Sequence, residues 1–301
     1  MRNILISVAT YKRPDLLHDL LESLASDNQI SRARVCVVDN DPAGSGEAAC
    51  ERDDLDIRYV VEPRQGIAAA RNRGLKELLP TDEFVIFVDD DERVGEGWLA
   101  SLLDCQEKFR ADVVSGPVIS VFPAGTPDWI IKGNFIQRAR FATGAVMRSA
   151  ATNNTLVSTA TLRKLDPPEF DETFSMTGGS DTELFGRLRA LGAQLIWCDE
   201  AVVFEDVPAS RARLSWVWRR GIRVGNVNGR LSLRTSSRVR VAAEGVARIG
   251  YGVLRQAGLL IIGRGLEGRS FAQVTGGIGR IGACTNRLIV EYARKEGAAS
   301  K

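Results

Sequence analysis

The chain of 301 residues holds a single histidine, His18, and five scattered cysteines, Cys36, Cys50, Cys105, Cys198 and Cys284, with no CxxC pair. One histidine excludes a histidine-built metal centre, and a Ser-His-Asp arrangement would have to recruit His18 from an amphipathic helical pattern. An odd cysteine count without paired spacing excludes a zinc ribbon or a redox dithiol and fits a reducing, cytosolic setting. Long apolar runs are also missing: the uncharged run QAGLLIIG near residue 260 has eight residues between Arg255 and Arg264, where a membrane span needs about 20. The strand-like ILISVA follows Met1 closely, without a charged region, apolar stretch and cleavage site, so no secretory leader is expected. No P-loop, no internal repeat of 20 to 50 residues and no low-complexity linker occurs.

What is present is an ordinary globular composition, 44% hydrophobic and 26% charged, long enough for one large domain or two smaller ones. The net charge of +2 conceals an asymmetry, since residues 1–206 carry 22 Lys and Arg against 34 Asp and Glu, and residues 207–301 carry 18 against 4. A basic extension on an acidic body implies an anionic partner, namely membrane lipid, phosphate or nucleic acid. The acidic body carries the best motifs, which argues against nucleic acid binding as the main role.

Periodicity predicts strands at 4–9, 35–38, 57–61 and 84–88, and helices starting at Pro14 and spanning 67–79. Further on, 97–109 reads as a helix and 112–122 as a strand broken at Gly116 and Pro117. Residues 123–152 read as a loop-rich region, followed by strands at 155–160, 194–198 and 201–206. Between these lies a helix after Gly178 and Gly179, with Ser180 as its cap and Asp181 and Glu183 in its first turn. Alternating strands and helices predict a mostly parallel sheet flanked by helices, with ligands at the carboxyl ends of the strands. Thr10, Tyr11, Asp39 and Asp89 to Asp91 all follow such strands and converge on one rim.

Within FVIFVDDDE, strand alternation puts Asp89 and Asp91 on one side and Asp90 on the other. Two carboxylates about 6 to 7 Å apart repel by roughly 2 to 3 kcal/mol at an effective dielectric near 20, which a divalent cation would reverse. The competing reading is an acidic turn capping the next helix. For Asp181 and Glu183 the competing reading is complementation of the helix dipole. Two glycine triplets, at 263, 265 and 268 and at 277, 279 and 282, match GxGxxG, but neither follows a strand, so a dinucleotide site is not expected. Within the extension, Trp216 and Trp218 sit beside Arg219 and Arg220, and Val239, Ala242, Val246, Ile249, Val253 and Ala257 form a helical stripe. That stripe fits an interfacial membrane helix, or packing on the acidic body or on a partner chain.

The ordered segments ILISVATYKRP, VVDND, GIAAARNRGL, FVDDDE and GGSDTELFGRL resemble the glycosyltransferase family 2 proteins of GT-A fold over residues 1–206. TYKRP, VVDNDPAGS and the stretch from VPASR to RRGIRVGN are similar to bacterial exopolysaccharide glucosyltransferases of the succinoglycan type. The resemblance implies a Rossmann-like catalytic domain over 1–206 and a mainly helical basic extension over 207–301. It implies metal-dependent, inverting transfer of a hexose, glucose foremost, from a UDP-sugar to a saccharide acceptor carried on a lipid diphosphate. Thr10, Tyr11, Asp39, Arg71, Asp89 and Asp90 would hold the nucleotide-sugar. Asp91 and Asp89, with Glu205 as a further ligand, would hold Mg2+ or Mn2+. Asp181 would be the general base, with Glu183 its rival because Ser180 stands where the family usually has Glu. Trp216, Arg219, Arg220 and Arg223 would meet the acceptor or a diphosphate, and the location would be cytoplasmic, peripheral to the inner face of the plasma membrane. A sugar-1-phosphate nucleotidyltransferase would need a glycine-rich loop after the first strand, where TYKRP stands. A non-catalytic nucleotide-sugar-binding protein is the third reading, hinted at by Ser180.

Overall fold

A computed structural model of the chain describes residues 3–285, so residues 286–301 of the basic extension lie outside the described residues. The first half alternates as expected: β1 (Ile4–Thr10), α1 (Pro14–Ala25), β2 (Ala33–Asp39), β3 (Ile57–Val61), α2 (Ile67–Leu75) and β4 (Phe84–Asp89). Pro14 opens α1, where its missing N–H costs nothing, and Leu17, Leu20, Leu21 and Leu24 are buried along one face. Each such leucine contributes roughly 1.5 to 3 kcal/mol on leaving water. Then follow β5 (Glu92–Val94), α3 (Trp98–Phe109), β6 (Val113–Ser115), β7 (Val118–Val121), α4 (Asp128–Lys132), β8 (Thr155–Ser158) and α5 (Thr159–Leu162). The chain continues through α6 (Ser180–Ala190), β9 (Leu195–Trp197), β10 (Val203–Asp206), α7 (Leu214–Leu233), α8 (Arg238–Ile261) and α9 (Gly268–Cys284). All five cysteines are free thiols.

The strands form a seven-stranded sheet in the order β3-β2-β1-β4-β8-β6-β9 and a three-stranded sheet in the order β5-β10-β7. The large sheet is parallel except at β8, which runs antiparallel to both β4 and β6. The break at Gly116 and Pro117 is a change of sheet, β6 lying in the large one and β7 in the small one. Only glycine fits there: a Cβ on Gly116 would stand 2.1 Å from the Ala201 carbonyl oxygen. Buried Asn154 secures the junction, donating to the carbonyls of Pro117 (3.0 Å) and Ala201 (2.6 Å) and accepting from Trp98 Nε1 (2.7 Å). A buried amide with such partners converts a desolvation cost into a fixed crossing point.

In the extension, α9 lies between α7 and α8. The contact is made by glycines: a Cβ on Gly225 would meet the backbone of Gly276, and one on Gly277 or Gly279 would meet the backbone of α8 or α7. The 277, 279, 282 triplet is therefore part of a helix-packing face, while Gly263 and Gly265 turn the chain between α8 and α9. The stripe of α8 noted above is split, with Ala242 and Ile249 half-buried and Ile249 lying against Gly277 of α9. Val239, Val246 and Val253 are exposed, and α8 is buried instead through Val241, Gly245 and Gly252. Helix α7 docks on the α/β body, with Arg230 donating to Thr177 (2.8 Å) and Arg234 pairing with Asp171 (2.6 Å) and Glu183 (3.1 Å).

Candidate active site

Parallel register brings the ends of β1, β2 and β4 level, Thr10 opposite Asp39 and Ala9 opposite Asp89. This is the expected rim at the carboxyl edge of the sheet. β4 ends at Asp89, and Asp90 and Asp91 turn before β5. Strand alternation therefore ends at Asp89 and does not extend to Asp91, and Asp89, Asp90 and Asp91 all line one cleft of about 240 Å³. The acids do not cap the next helix, since α3 begins at Trp98 after Gly97.

Arginines from distant segments occupy this cleft. Arg13 Nη1 donates to Asp90 Oδ1 and Asp91 Oδ2, both at 3.2 Å. Arg211 lies 3.5 Å from Asp91, and Arg71 3.3 Å from Asp89. Thr10 Oγ1 donates to Asp90 Oδ2 at 2.8 Å. Burial above all, with repulsion from Asp91 and Asp89, pushes the Asp90 carboxyl up to about 6 against the pull of Arg13 and Thr10. Asp91 is raised by burial and by the charges of Asp89 and Glu205. Glu205 is held by Arg211 (2.7 Å) and Arg138 (3.0 Å). Its neighbour Asp206 pairs instead with Arg93, outside the cleft.

Asp39 is fully buried. Its Oδ1 accepts from the Asp41 backbone N–H (2.8 Å), and its Oδ2 from Gly46 N–H (2.7 Å) and the Tyr59 hydroxyl (2.9 Å). It thus pins the loop after β2 at the rim. Asn40 does the same for the loop after β3, donating to the carbonyls of Glu62 and Arg64 and accepting from Gly66 N–H. Tyr11 stands half-buried beside Lys12, whose ammonium lies 5.5 Å from its ring centre. Neither Tyr11 nor Asp39 lines the cleft itself.

Ser180 does not cap α6. Gly179 takes the cap position at φ 101°, Ser180 is the first helical residue, and its buried hydroxyl has no hydrogen-bond partner. The glycine is required because a Cβ there would be strained and would stand 2.2 Å from Val227 of α7. The first turn then separates the two acids. Glu183 is buried and paired with Arg187 (3.0 Å) and Arg234 (3.1 Å), whereas Asp181 is half-buried and accepts from Thr182 N–H at 2.7 Å. Asp181 is not among the residues lining the arginine–aspartate cleft.

On α7 the cleft face is Trp216, Arg220 and Arg223. Arg219 is exposed and lies outside it, separated from Arg220 by the turn of about 100° per residue. The Arg220 guanidinium packs over Trp216, 5.0 Å from the ring centre. Burial and the neighbouring cation of Arg138 lower it to about 10. Residues the sequence patterns left unassigned are Arg13, Arg138, Arg211 and Glu92. Buried Glu92 accepts from Asp89 N–H (3.0 Å) and pairs in register with Glu205, and burial holds its carboxyl well above the usual carboxylate range. The only sequence signal for Arg13 and Glu92 was their place inside TYKRP and FVDDDE.

Acids gathered at the carboxyl ends of a mostly parallel sheet, and met by arginines, form a charged cleft where sheets of this kind hold their ligands. The chain belongs to glycosyl transferase family 2, whose sequence profile matches residues 5–181. Over 232 residues it is 36% identical to the succinoglycan biosynthesis protein ExoM of Rhizobium meliloti (strain 1021), covering 75% of this chain and 74% of that protein. Among solved structures, S. aureus TarS 1-349 in complex with UDP-GlcNAc superposes with a TM-score of 0.55 over 98% of each chain at 17% identity. The chain spans 40% of the length of the longer solved TarS chain. A mannosyltransferase from Pyrobaculum calidifontis, PcManGT in complex with GDP-Man and Mn2+, gives 0.56 at 19% identity, covering 78% of this chain and 65% of that one. The fold is thus GT-A, and the protein is a glycosyltransferase related to succinoglycan biosynthesis proteins.

Proposed function

We propose that the enzyme transfers a hexose, glucose foremost, from a UDP-sugar to a saccharide acceptor in exopolysaccharide or other surface glycan synthesis, with inversion at the anomeric carbon. The observation that carries this is the level rim of β1, β2 and β4, where Asp89 to Asp91 meet Arg13, Arg71 and Arg211 in one cleft. The relationship to ExoM supports the pathway, and the UDP-GlcNAc complex of TarS supports the donor class.

Among the described residues no cluster of three Asp, Glu, His or Cys side chains is arranged to hold a metal ion. A hard cation on a nucleoside diphosphate does not require one: Mg2+ is commonly bound by one or two carboxylates plus substrate phosphates. The donor set fits, since Asp89 and Asp91 offer oxygen alone and repulsion between them raises Asp91. When bound there, Mg2+ or Mn2+ would neutralise charge building on the departing diphosphate. Arg13 and Arg211, which hold the acids here, are placed to turn to phosphate oxygens instead. Thr10 and Glu92 keep Asp90 and the backbone of Asp89 in position. Asp181 would accept the proton of the acceptor hydroxyl as that oxygen attacks, because Glu183, the other acid of its turn, is paired with Arg187 and Arg234, and among the described residues Asp181 has no arginine partner.

Screening UDP-glucose, UDP-galactose and their N-acetyl forms for hydrolysis or transfer with and without Mn2+ tests the proposal directly. Metal-dependent release of UDP from one of them is the expected result; pyrophosphate release from a nucleoside triphosphate and a sugar phosphate would point to nucleotidyl transfer instead.

The acceptor is proposed to be lipid-linked and the enzyme peripheral to an anionic membrane. Among the described residues no helix is long and apolar enough to cross a bilayer. The end of α8 and the turn after it nevertheless expose Leu254 (75%), Ile261 (85%) and Ile262 (65%) beside exposed Arg264 and Arg269. Such an apolar tip ringed by cations suits an anionic lipid surface. Liposomes containing phosphatidylserine should retain the protein at low salt and release it as salt rises, while Ile261→Asp should cut retention several-fold. Equal recovery on neutral and anionic liposomes would refute the membrane proposal.

A further inference from the structure

Beside the cleft lies a second, larger cavity of about 1080 Å³, enclosed by segment 133–141 and by faces of α7, α8 and α9. Ile136, Arg138 and Arg220 line both spaces, so the two share a wall. Among the described residues the sole acid of the lining, Glu267, is taken by Arg255 at 2.7 and 2.8 Å. Of the arginines facing the cavity, Arg138 is held by Glu205, Arg140 by Asp199, and Arg280 by Ser232 and Glu244. Two are not held. Among the described residues neither Arg220 nor Arg248 has a hydrogen bond or ion pair, and the Nε of Arg248 is buried without a partner.

A guanidinium drawn out of water without a carboxylate in direct contact is costly; Glu205 and Glu244 act on Arg220 and Arg248 only from a distance, and two such groups facing one cavity are hard to explain by packing. Guanidinium forks match phosphate oxygens. The cleft has its own arginines for the donor diphosphate, Arg13, Arg71 and Arg211, which leaves Arg220 and Arg248 for a second anion. The remaining wall includes Val224, Phe271 and Gly276, which offer that anion no charge.

We propose that this cavity is the acceptor subsite and that it binds the acceptor through a phosphoryl group held by Arg220 and Arg248. The proposal rests on the donor reading of the neighbouring cleft. It accounts for the shared wall: an acceptor anchored there by its phosphoryl end would present its sugar hydroxyl toward the donor side.

Calorimetry on the full chain tests it with UDP and excess Mg2+ present to fill the cleft, titrating inorganic phosphate in one arm and farnesyl phosphate in the other. A binding event is expected in the presence of UDP, weakened about tenfold or more by Arg248→Ala, as loss of a charge-assisted hydrogen-bonding group predicts. Gly276→Val provides a second variant, because a Cβ at Gly276 has only Arg248 Nε as a neighbour, at 4.0 Å, and would project into the cavity. Both variants should leave UDP affinity unchanged. Tighter binding of farnesyl phosphate would support the site and assign it to a lipid phosphate, and equal affinities would support it as a site for a soluble phosphorylated glycan. No event beyond UDP, or one that neither variant weakens, overturns the proposal. Phosphate binding without UDP binding would refute the donor cleft and leave this site standing.

Discussion

Asp181→Asn is expected to lower glycosyl transfer by about 10² to 10⁴, the usual contribution of a placed general base, with UDP affinity essentially unchanged. The carboxylate stands in the first turn of α6, and its recorded partners are the backbone N–H and hydroxyl of Thr182. Asparagine keeps the shape and an oxygen acceptor, so the helix start should persist while the proton acceptor is lost. The start of that turn is tied to the extension, because any side chain at Gly179 would be strained at its φ of 101° and would run into Val227 of α7. Glu183 is the control. Its carboxylate holds Arg187 and Arg234, so Glu183→Gln should act mainly on stability by loosening the contact between α6 and the end of α7. Transfer by Asp181→Asn at near the parental rate, measured as UDP release against an acceptor, would remove Asp181 from the mechanism.

Asp91→Ala should weaken UDP binding on the order of 10- to 100-fold when Mn2+ is present, the scale of one lost charge-assisted contact. Without metal the expected sign differs. Asp91 now occupies Arg13 and Arg211, and removing it frees two guanidiniums for phosphate, so metal-free affinity should hold or rise. Calorimetry with and without Mn2+ separates the two cases, and an affinity unchanged in both would show that Asp91 does not handle the donor. The same logic explains why the cleft is small. At about 240 Å³ it falls below the 300 to 1,000 Å³ typical of ligand sites, because the arginines are folded onto the acids that a bound donor would relieve.

Much of the catalytic half was legible in the chain because its signals are local. Leucine spacing marked α1, apolar runs marked β1, β2 and β4, and the polar residues at their ends marked the rim. The break at Gly116 and Pro117 was visible as a break, but its meaning as a change of sheet depended on Ala201 and Asn154, far along the chain. Ser180 was misread as a cap because serine favours that position; the cap fell to Gly179, since packing by Val227 leaves no room for a side chain. In the extension, glycines that imitate a dinucleotide motif are a packing face for α7 and α8, which no single-helix pattern can reveal.

By itself the sequence determined the order of strands and helices, the acidic strand ends and the opposite charges of body and extension, since each depends on neighbours within a turn or a strand. Which cation meets which acid was decided by the tertiary structure. Arg13 reaches Asp90 and Asp91 across more than 70 residues, and Arg211 reaches Asp91 from the start of the extension. Arg220 and Arg248 face one cavity only because α7, α8 and α9 pack as they do. Ion pairing falls off with distance in space and is blind to distance along the chain, so the charges could be counted from the sequence but only the fold could match them.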